Sequence, residues 1–370
     1  MSRPLYVASP ILPKLDDLRP YLEGIWDRRM LTNGGPLHDE LEEALSRHLG
    51  IPTAMLFNNG TIALMTALRM FDLPSGGEVI TTPLTFAATA HAISWNGLAP
   101  VFADVSPDDL TLDPASVEAA ITPKTSAILA VHVYGTVCDL DALQDIATRH
   151  GLPLIYDAAH AFGTTVSGRP IGTFGDASVF SFHATKLFHT FEGGLLATNR
   201  EEDRQTIYYL RNFGIKNEEE VVGIGINGKM NELQAMIGLL NLPQVEDERQ
   251  TRAKLRQNYK SFLSDLPGIR LQPDQPGVSN SEQYFALQID PEKFGRTRDD
   301  VYEALKSMDI FARKYFHPIC TDFEPYRGYP IHSVWPQPAV DLVKTRVLCL
   351  PFHGGVEEQD IAQIRAVFLS

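Results

Sequence analysis

The sequence predicts an α/β protein, with a large domain built on a mostly parallel sheet sandwiched by helices and a smaller α/β domain at the C-terminal end. Three observations predict it. Short apolar, strand-like runs alternate with helix-like stretches through residues 53–157, the pattern of a parallel sheet covered on both faces. The run Leu152-Pro-Leu-Ile-Tyr-Asp157 is apolar up to a terminal carboxylate, as a buried parallel strand is when its carboxyl end meets a ligand crevice. The chain of 370 residues exceeds the size at which one core keeps growing, so two domains are expected, 1–248 and 249–370.

Taken in order, residues 10–36 are rich in proline and close on Leu31-Thr-Asn-Gly-Gly-Pro36, which reads as an extended arm with one helical turn before a tight loop. Leu37, Leu41 and Leu45, with Glu40, Glu42 and Glu43 among them, have helical spacing; Pro36 suits the first turn and Gly50 the end. Residues 53–58 read as a strand, Asn59-Gly60-Thr61 as a small-residue turn and 62–68 as an amphipathic helix. Strands follow at 78–83, 99–105, 125–135 and 152–157, with helices at 84–93 and 141–150 between them. Further helices are expected at 201–210 and from Asn231 to about Glu248, and a basic, helical stretch from Arg249 through Phe262, with the linker between the domains near 245–255. Strand and helix signals at 279–290 and 299–308, and a last strand at 347–352, build the smaller domain.

The chemistry concentrates in Ser178-Val-Phe-Ser-Phe-His-Ala-Thr-Lys186-Leu-Phe-His-Thr-Phe-Glu192-Gly-Gly194, where a lone lysine is bracketed by Ser181, Thr185 and a glycine pair. A lysine amine condenses with an aldehyde when its surroundings lower its pKa and hold it at the carbonyl; otherwise Lys186 is a surface lysine, the common fate of that residue. Asp157, at a strand end, needs a cationic partner once buried, and a protonated pyridine nitrogen is one. Gly60 and Thr61 open a helix whose free amides suit an anion, or else form an ordinary turn with Asn59 as N-cap. Gly223-x-Gly225-x-x-Gly228 spells a dinucleotide fingerprint, but an acidic run precedes it and a helix with no strand beyond follows, so that reading fails. His183 and His189 flank the lysine without converging carboxylates or thiolates, so no metal is expected.

Asp157-Ala-Ala-His160, Ser181-Phe-His-Ala-Thr-Lys186 and Glu192-Gly-Gly, in that order, together resemble the DegT/DnrJ/EryC1/StrS family of nucleotide-sugar aminotransferases, from about Pro10 to the C-terminus. The resemblance implies the aspartate-aminotransferase fold (fold type I), the cofactor pyridoxal 5′-phosphate (PLP), L-glutamate as amino donor and a nucleoside-diphosphate keto-sugar as acceptor. The Leu31-to-Pro36 arm and the Phe-His-Ala-Thr-Lys form look most like members that aminate C4 of dTDP-4-keto-6-deoxyglucose, in deoxysugar and lipopolysaccharide O-antigen biosynthesis; a C3-keto or a UDP- or GDP-linked sugar is the alternative. By resemblance Lys186 is tether and proton shuttle, and Asp157 is the partner of the ring nitrogen. Gly60, Thr61 and Ser181 grip the phosphate with Asn227 of a partner subunit, in a homodimer with shared active sites. Phe86 stacks on the ring, against the alternative of a core phenylalanine. His160, where many members carry glutamine, lies near the phenolic oxygen, with the donating nitrogen left open. Thr32 and Asn33 on the arm, and Arg313 and Tyr315 later, fall on the sugar side. Two rivals remain on the same fold: a sugar dehydratase, whose family relatives replace the lysine by histidine, and a non-enzymatic ligand sensor.

A net charge of −14 disfavours nucleic acid and anionic membrane as partners. No apolar run reaches the length of a membrane span, and the N-terminus has no secretory h-region, so a cytoplasmic location is expected. Cys138, Cys320 and Cys349 are odd in number with no CxxC spacing, which argues against a disulfide framework or zinc site.

Overall fold

Eight strands form the central sheet of the computed structural model, which describes residues 3–369. Across the sheet they run Ile331–His332, Ala99–Ala103, Glu78–Thr81, Thr125–Val131, Leu154–Asp157, Ala177–Ser181, Gly194–Thr198 and Thr53–Phe57. Every neighbouring pair is parallel except the two made by Gly194–Thr198, which runs against both of its neighbours. Its reversal follows from the connection 182–193, which carries no helix to cross the chain back over the sheet.

Side chains alternate between two layers. In Thr53–Phe57, Ala54 and Leu56 enter one core with Leu41 and Leu45, while Met55 and Phe57 enter another with Leu64, Leu68 and Ile93. The helix Pro36–Leu49 matches its expected spacing, with Pro36 in the first turn and Gly50 as a left-handed cap at φ 61°. The register places Asp157 opposite Val131 and Val179, and Gly194 opposite both Ser181 and Phe57, so these positions meet at one edge of the sheet.

The N-terminal arm differs from expectation: Leu15–Arg28 is a 14-residue helix. Pro20 forfeits one backbone bond in it, but Leu18, Tyr21, Leu22 and Ile25 recur at helical spacing and pack on the core, and that burial outweighs the proline. At 245–255, where a linker was expected, the chain runs through the continuous helix Val245–Leu263, entered from Glu232–Asn241 by the turn Leu242–Gln244. A second core surrounds the antiparallel strands Ile269–Leu271, Phe285–Ile289 and Val347–Leu350, built from Leu255, Tyr259, Phe262, Val301 and Leu305. Two strands cross the 248/249 division: Leu5–Tyr6 pairs with Ile310–Phe311, and Ile331–His332 joins the edge of the large sheet. The buried Asp104 anchors the latter segment by accepting from the Ala339 and Val340 amides at 2.7 and 3.1 Å.

Among the described residues no helix is long and apolar enough to cross a membrane, and no group of three or more His, Cys, Asp or Glu could hold a metal ion. The three cysteines are free and buried. Residues 223–228 form a loop between the helices Asp203–Arg211 and Glu232–Asn241, without the strand that a dinucleotide site requires.

Candidate active site

Asp157 ends its strand only 5% exposed. The Thr89 hydroxyl donates to Oδ2 at 2.8 Å and the Ala159 amide to Oδ1 at 3.1 Å; the Thr85 hydroxyl lies 2.8 Å from that of Thr89. Burial raises the carboxyl above its ordinary range, opposed by these hydrogen bonds and by Lys186. Both hydrogen-bonding partners are neutral. A buried carboxylate so placed suits a cationic ligand group, because charge pairing is what offsets the desolvation.

Lys186 lines the same cleft as Asp157 and is not a lysine on the outer surface. Its peptide nitrogen donates to the His183 carbonyl at 2.9 Å, and its Nζ lies 5.8 Å from the centre of the Tyr284 ring. Burial pulls the amine down to about 8, while the charge of Asp157 opposes the fall. At that value the amine is still mostly protonated near physiological pH but gives up its proton far more readily than an ordinary lysine, which suits a group that must both attack a carbonyl and carry a proton. His183 and His189 have other tasks. His183 Nδ1 contacts the Thr185 hydroxyl at 2.8 Å with Nε2 3.7 Å from Glu192, and His189 Nε2 meets the Ile11 carbonyl at 2.7 Å.

Opposite these groups the helix Gly60–Arg69 begins. Asn59 is the N-cap, its Oδ1 accepting from the Ile62 amide at 2.9 Å, and the Gly60 and Thr61 amides keep no partner among the described residues. Free amides at the positive end of a helix are an anion site, and Gly60, Thr61 and Ser181 all line the cleft. Gly194 is required beside them, since a Cβ there would stand 2.7 Å from the Asn59 carbonyl and 2.8 Å from the Gly60 Cα. The Glu-Gly-Gly sequence thus lets a strand lie against this helix end.

His160 is 4% exposed, and its Nδ1 accepts from the Tyr134 amide at 3.1 Å, so the proton of the neutral ring sits on Nε2. Burial first, and then Lys186 and His132, push its pKa well below the ordinary value and keep the ring neutral. The Tyr284 ring meets it edge-on at 5.0 Å, and Phe316 stacks on it at 5.8 Å. Phe86, at the N-cap of Ala87–Trp95, is 62% exposed and lines the cleft, so it is not a core residue.

Tyr315 lines the cleft too, with the exposed Arg313 guanidinium 5.3 Å from its ring. Thr32, Asn33 and Asn227 are exposed and lie outside the lining of this chain's cleft. Asn33 has φ 67°, and the Asn227 carbonyl accepts from Asn58 Nδ2 at 3.4 Å. Sequence reasoning missed Thr89, Tyr284 and Gln283, which reach the site from distant segments and carry no local motif.

A strand-end carboxylate, a lysine amine of lowered basicity and two unpartnered helix amides gather at the carboxyl edge of this sheet, and the comparisons with known proteins make the protein an aminotransferase of the aspartate-aminotransferase-like fold. The chain belongs to the DegT/DnrJ/EryC1/StrS aminotransferase family, which it matches over residues 16–368. It is 44% identical over 365 residues to a dTDP-4-amino-4,6-dideoxy-D-glucose transaminase of Shigella dysenteriae, covering 98% of each chain. To the Escherichia coli transaminase of the same name it is 42% identical over 366 residues, covering 98% of this chain and 97% of the relative. The crystal structure of DesI with its TDP-sugar product superposes with a TM-score of 0.91 at 39% identity, covering 99% of this chain and 92% of that one. The motif-based expectations of family, fold and sugar-aminotransferase activity therefore hold.

Proposed function

We propose that this enzyme is PLP-dependent and moves the amino group of L-glutamate to C4 of dTDP-4-keto-6-deoxyglucose, as a homodimer with shared active sites. The observation that carries the reading is that one cleft brings together Lys186, whose amine burial pulls down to about 8, and the buried Asp157, whose hydrogen-bond partners are neutral. The choice of sugar and nucleotide is supported by the name of the two transaminases at 44% and 42% identity.

The residues present fit PLP. Asp157 would pair with a protonated ring nitrogen, and the Gly60 and Thr61 amides with the Ser181 hydroxyl would take the phosphate. Phe86 would cover one ring face, and the His160 Nε2–H would donate to the phenolic oxygen. When bound, PLP supplies the electron sink for moving nitrogen between an amine and a carbonyl. Lys186 would hold the cofactor through its amine, and that amine, when free, would take up and return a proton as general base and acid. Tyr284, Tyr315 and Phe316 supply aromatic walls to the cleft beside Lys186.

Two features support a second copy. Lys186 is the one lysine or arginine lining this chain's cleft among the described residues, whereas glutamate and a nucleoside diphosphate bring several negative charges. Asn227, Thr32 and Asn33 are exposed, as are the apolar Phe213, Val221 and Ile224 near Asn227, a surface that a partner subunit would cover. To test the cofactor assignment, the protein is loaded with PLP, reduced with borohydride and mapped by peptide. The label is expected on Lys186, and the bound cofactor's absorbance band should be lost with L-glutamate; a label on another lysine, or none, sinks the reading.

A further inference from the structure

We infer that Gln283 is a positioning residue for the reaction, and that segment 280–284 is the device by which the smaller domain fixes where the Lys186 amine and the His160 ring stand. The inference rests on the reading of Lys186 as the reacting amine. Gln283 is 3% exposed and does not line the cleft. Its Oε1 accepts from the Leu187 amide at 2.7 Å, and its Nε2 donates to the Thr185 carbonyl at 3.1 Å. Those are the peptide groups on either side of Lys186. A carboxamide has a donor and an acceptor side by side, so one side chain closes on both and holds the backbone from which the lysine projects.

Neighbouring residues extend the grip. Ser281, fully buried, donates through its hydroxyl to the His160 carbonyl at 2.6 Å, and Asn280 Nδ2 donates to the Gly135 carbonyl at 3.3 Å. Glu282 sits at φ 56°, with its carboxylate 2.6 Å from Arg256 Nε on the helix Val245–Leu263, which anchors the segment to the smaller domain. Tyr284 then lies against both the Lys186 amine and the His160 ring. Backbone, amine and imidazole are thus all set from one short segment some 97 residues beyond the lysine.

The test replaces Gln283 by methionine, of similar length but without the paired hydrogen bonds, and uses Gln275→Met as control. Gln275 makes the same double contact elsewhere, accepting from the Val137 amide at 2.8 Å and donating to the Val137 carbonyl at 2.7 Å, and neither residue lines the cleft. In the PLP-loaded enzyme Gln283→Met should lower kcat by about 10- to 100-fold, the cost of a misplaced reacting group, with KM for both substrates within about threefold. In the cofactor-free protein, hydrogen exchange should accelerate in the peptide covering residues 182–190 and remain at the wild-type rate there in Gln275→Met. Should the methionine variant not fold, Gln283→Glu carries the test. It keeps the acceptor for Leu187 and loses the donor for Thr185, and a several-fold fall in kcat at unchanged KM is expected. A kcat equal to the control's, with wild-type exchange across 182–190, overturns the proposal. The exchange arm needs neither cofactor nor substrate, so an inactive wild type would count against the functional reading alone.

Discussion

Replacing Lys186 with methionine should stabilise the cofactor-free protein near neutral pH while abolishing its chemistry. Burial lowers the amine from its ordinary 10.5 to about 8. Below about pH 8 the amine is charged in both folded and unfolded chains, and the full desolvation cost is present. Between there and about pH 10.5 the unfolded chain keeps a proton that the folded one has released, so wild-type stability rises with pH across that window. The gap of about 2.5 pH units corresponds to a ceiling of roughly 3 kcal/mol. The amine opens onto the cleft and is partly screened, so ~1–2 kcal/mol is the working expectation. Loss of the ammonium also raises the Asp157 carboxyl further, which moves the acid limb and leaves the alkaline one to Lys186. Urea unfolding of both proteins in cofactor-free form, from about pH 7 to about pH 10, measures the difference. The variant should be the more stable at pH 7, with its lead vanishing as pH rises. A lead independent of pH, or a variant less stable at pH 7, would refute the reasoning.

Asp157→Asn should keep the fold and some cofactor binding but slow turnover roughly 100-fold or more, because the ring nitrogen loses its charged partner; near-normal single-turnover rates would make Asp157 structural. Thr89→Val removes a hydrogen bond to a buried carboxylate, an interaction of ~1.5–3 kcal/mol, so PLP titration should show affinity weakened about 10- to 100-fold, and unchanged affinity would count against the role given to Thr89. Lys186→Ala and Asn227→Ala, each inactive alone, should regain activity when mixed under conditions where subunits exchange, since one hybrid site carries neither lesion. Activity that stays at the level of the separate variants, with exchange demonstrated, would place Asn227 in its own chain's site.

The parts of the site legible in the sequence are those whose signals are local. Asp157 ends an apolar strand and Lys186 sits between hydroxylated residues and paired glycines, so strand-end chemistry and motif order point to both. Gly60 and Thr61 follow a strand and open a helix, and their free amides are a consequence of helix geometry alone. What escaped depends on contacts between remote segments. Thr89 meets Asp157 across 68 residues, and Gln283 grips the lysine loop across 96 and 98; nothing in a linear pattern announces such pairs. The tautomer of His160 is set by the Tyr134 amide, 26 residues away. The arm helix was hidden for a different reason, because the proline content spoke for extended chain while the spacing of Leu18, Leu22 and Ile25 decided the outcome.

The most direct test of the account is the product of the complete reaction. The PLP-loaded enzyme, incubated with L-glutamate and dTDP-4-keto-6-deoxyglucose, should release 2-oxoglutarate in step with a dTDP-sugar whose NMR spectrum carries the new amino group at C4. No amino sugar from that substrate, or one aminated at another carbon, would contradict it.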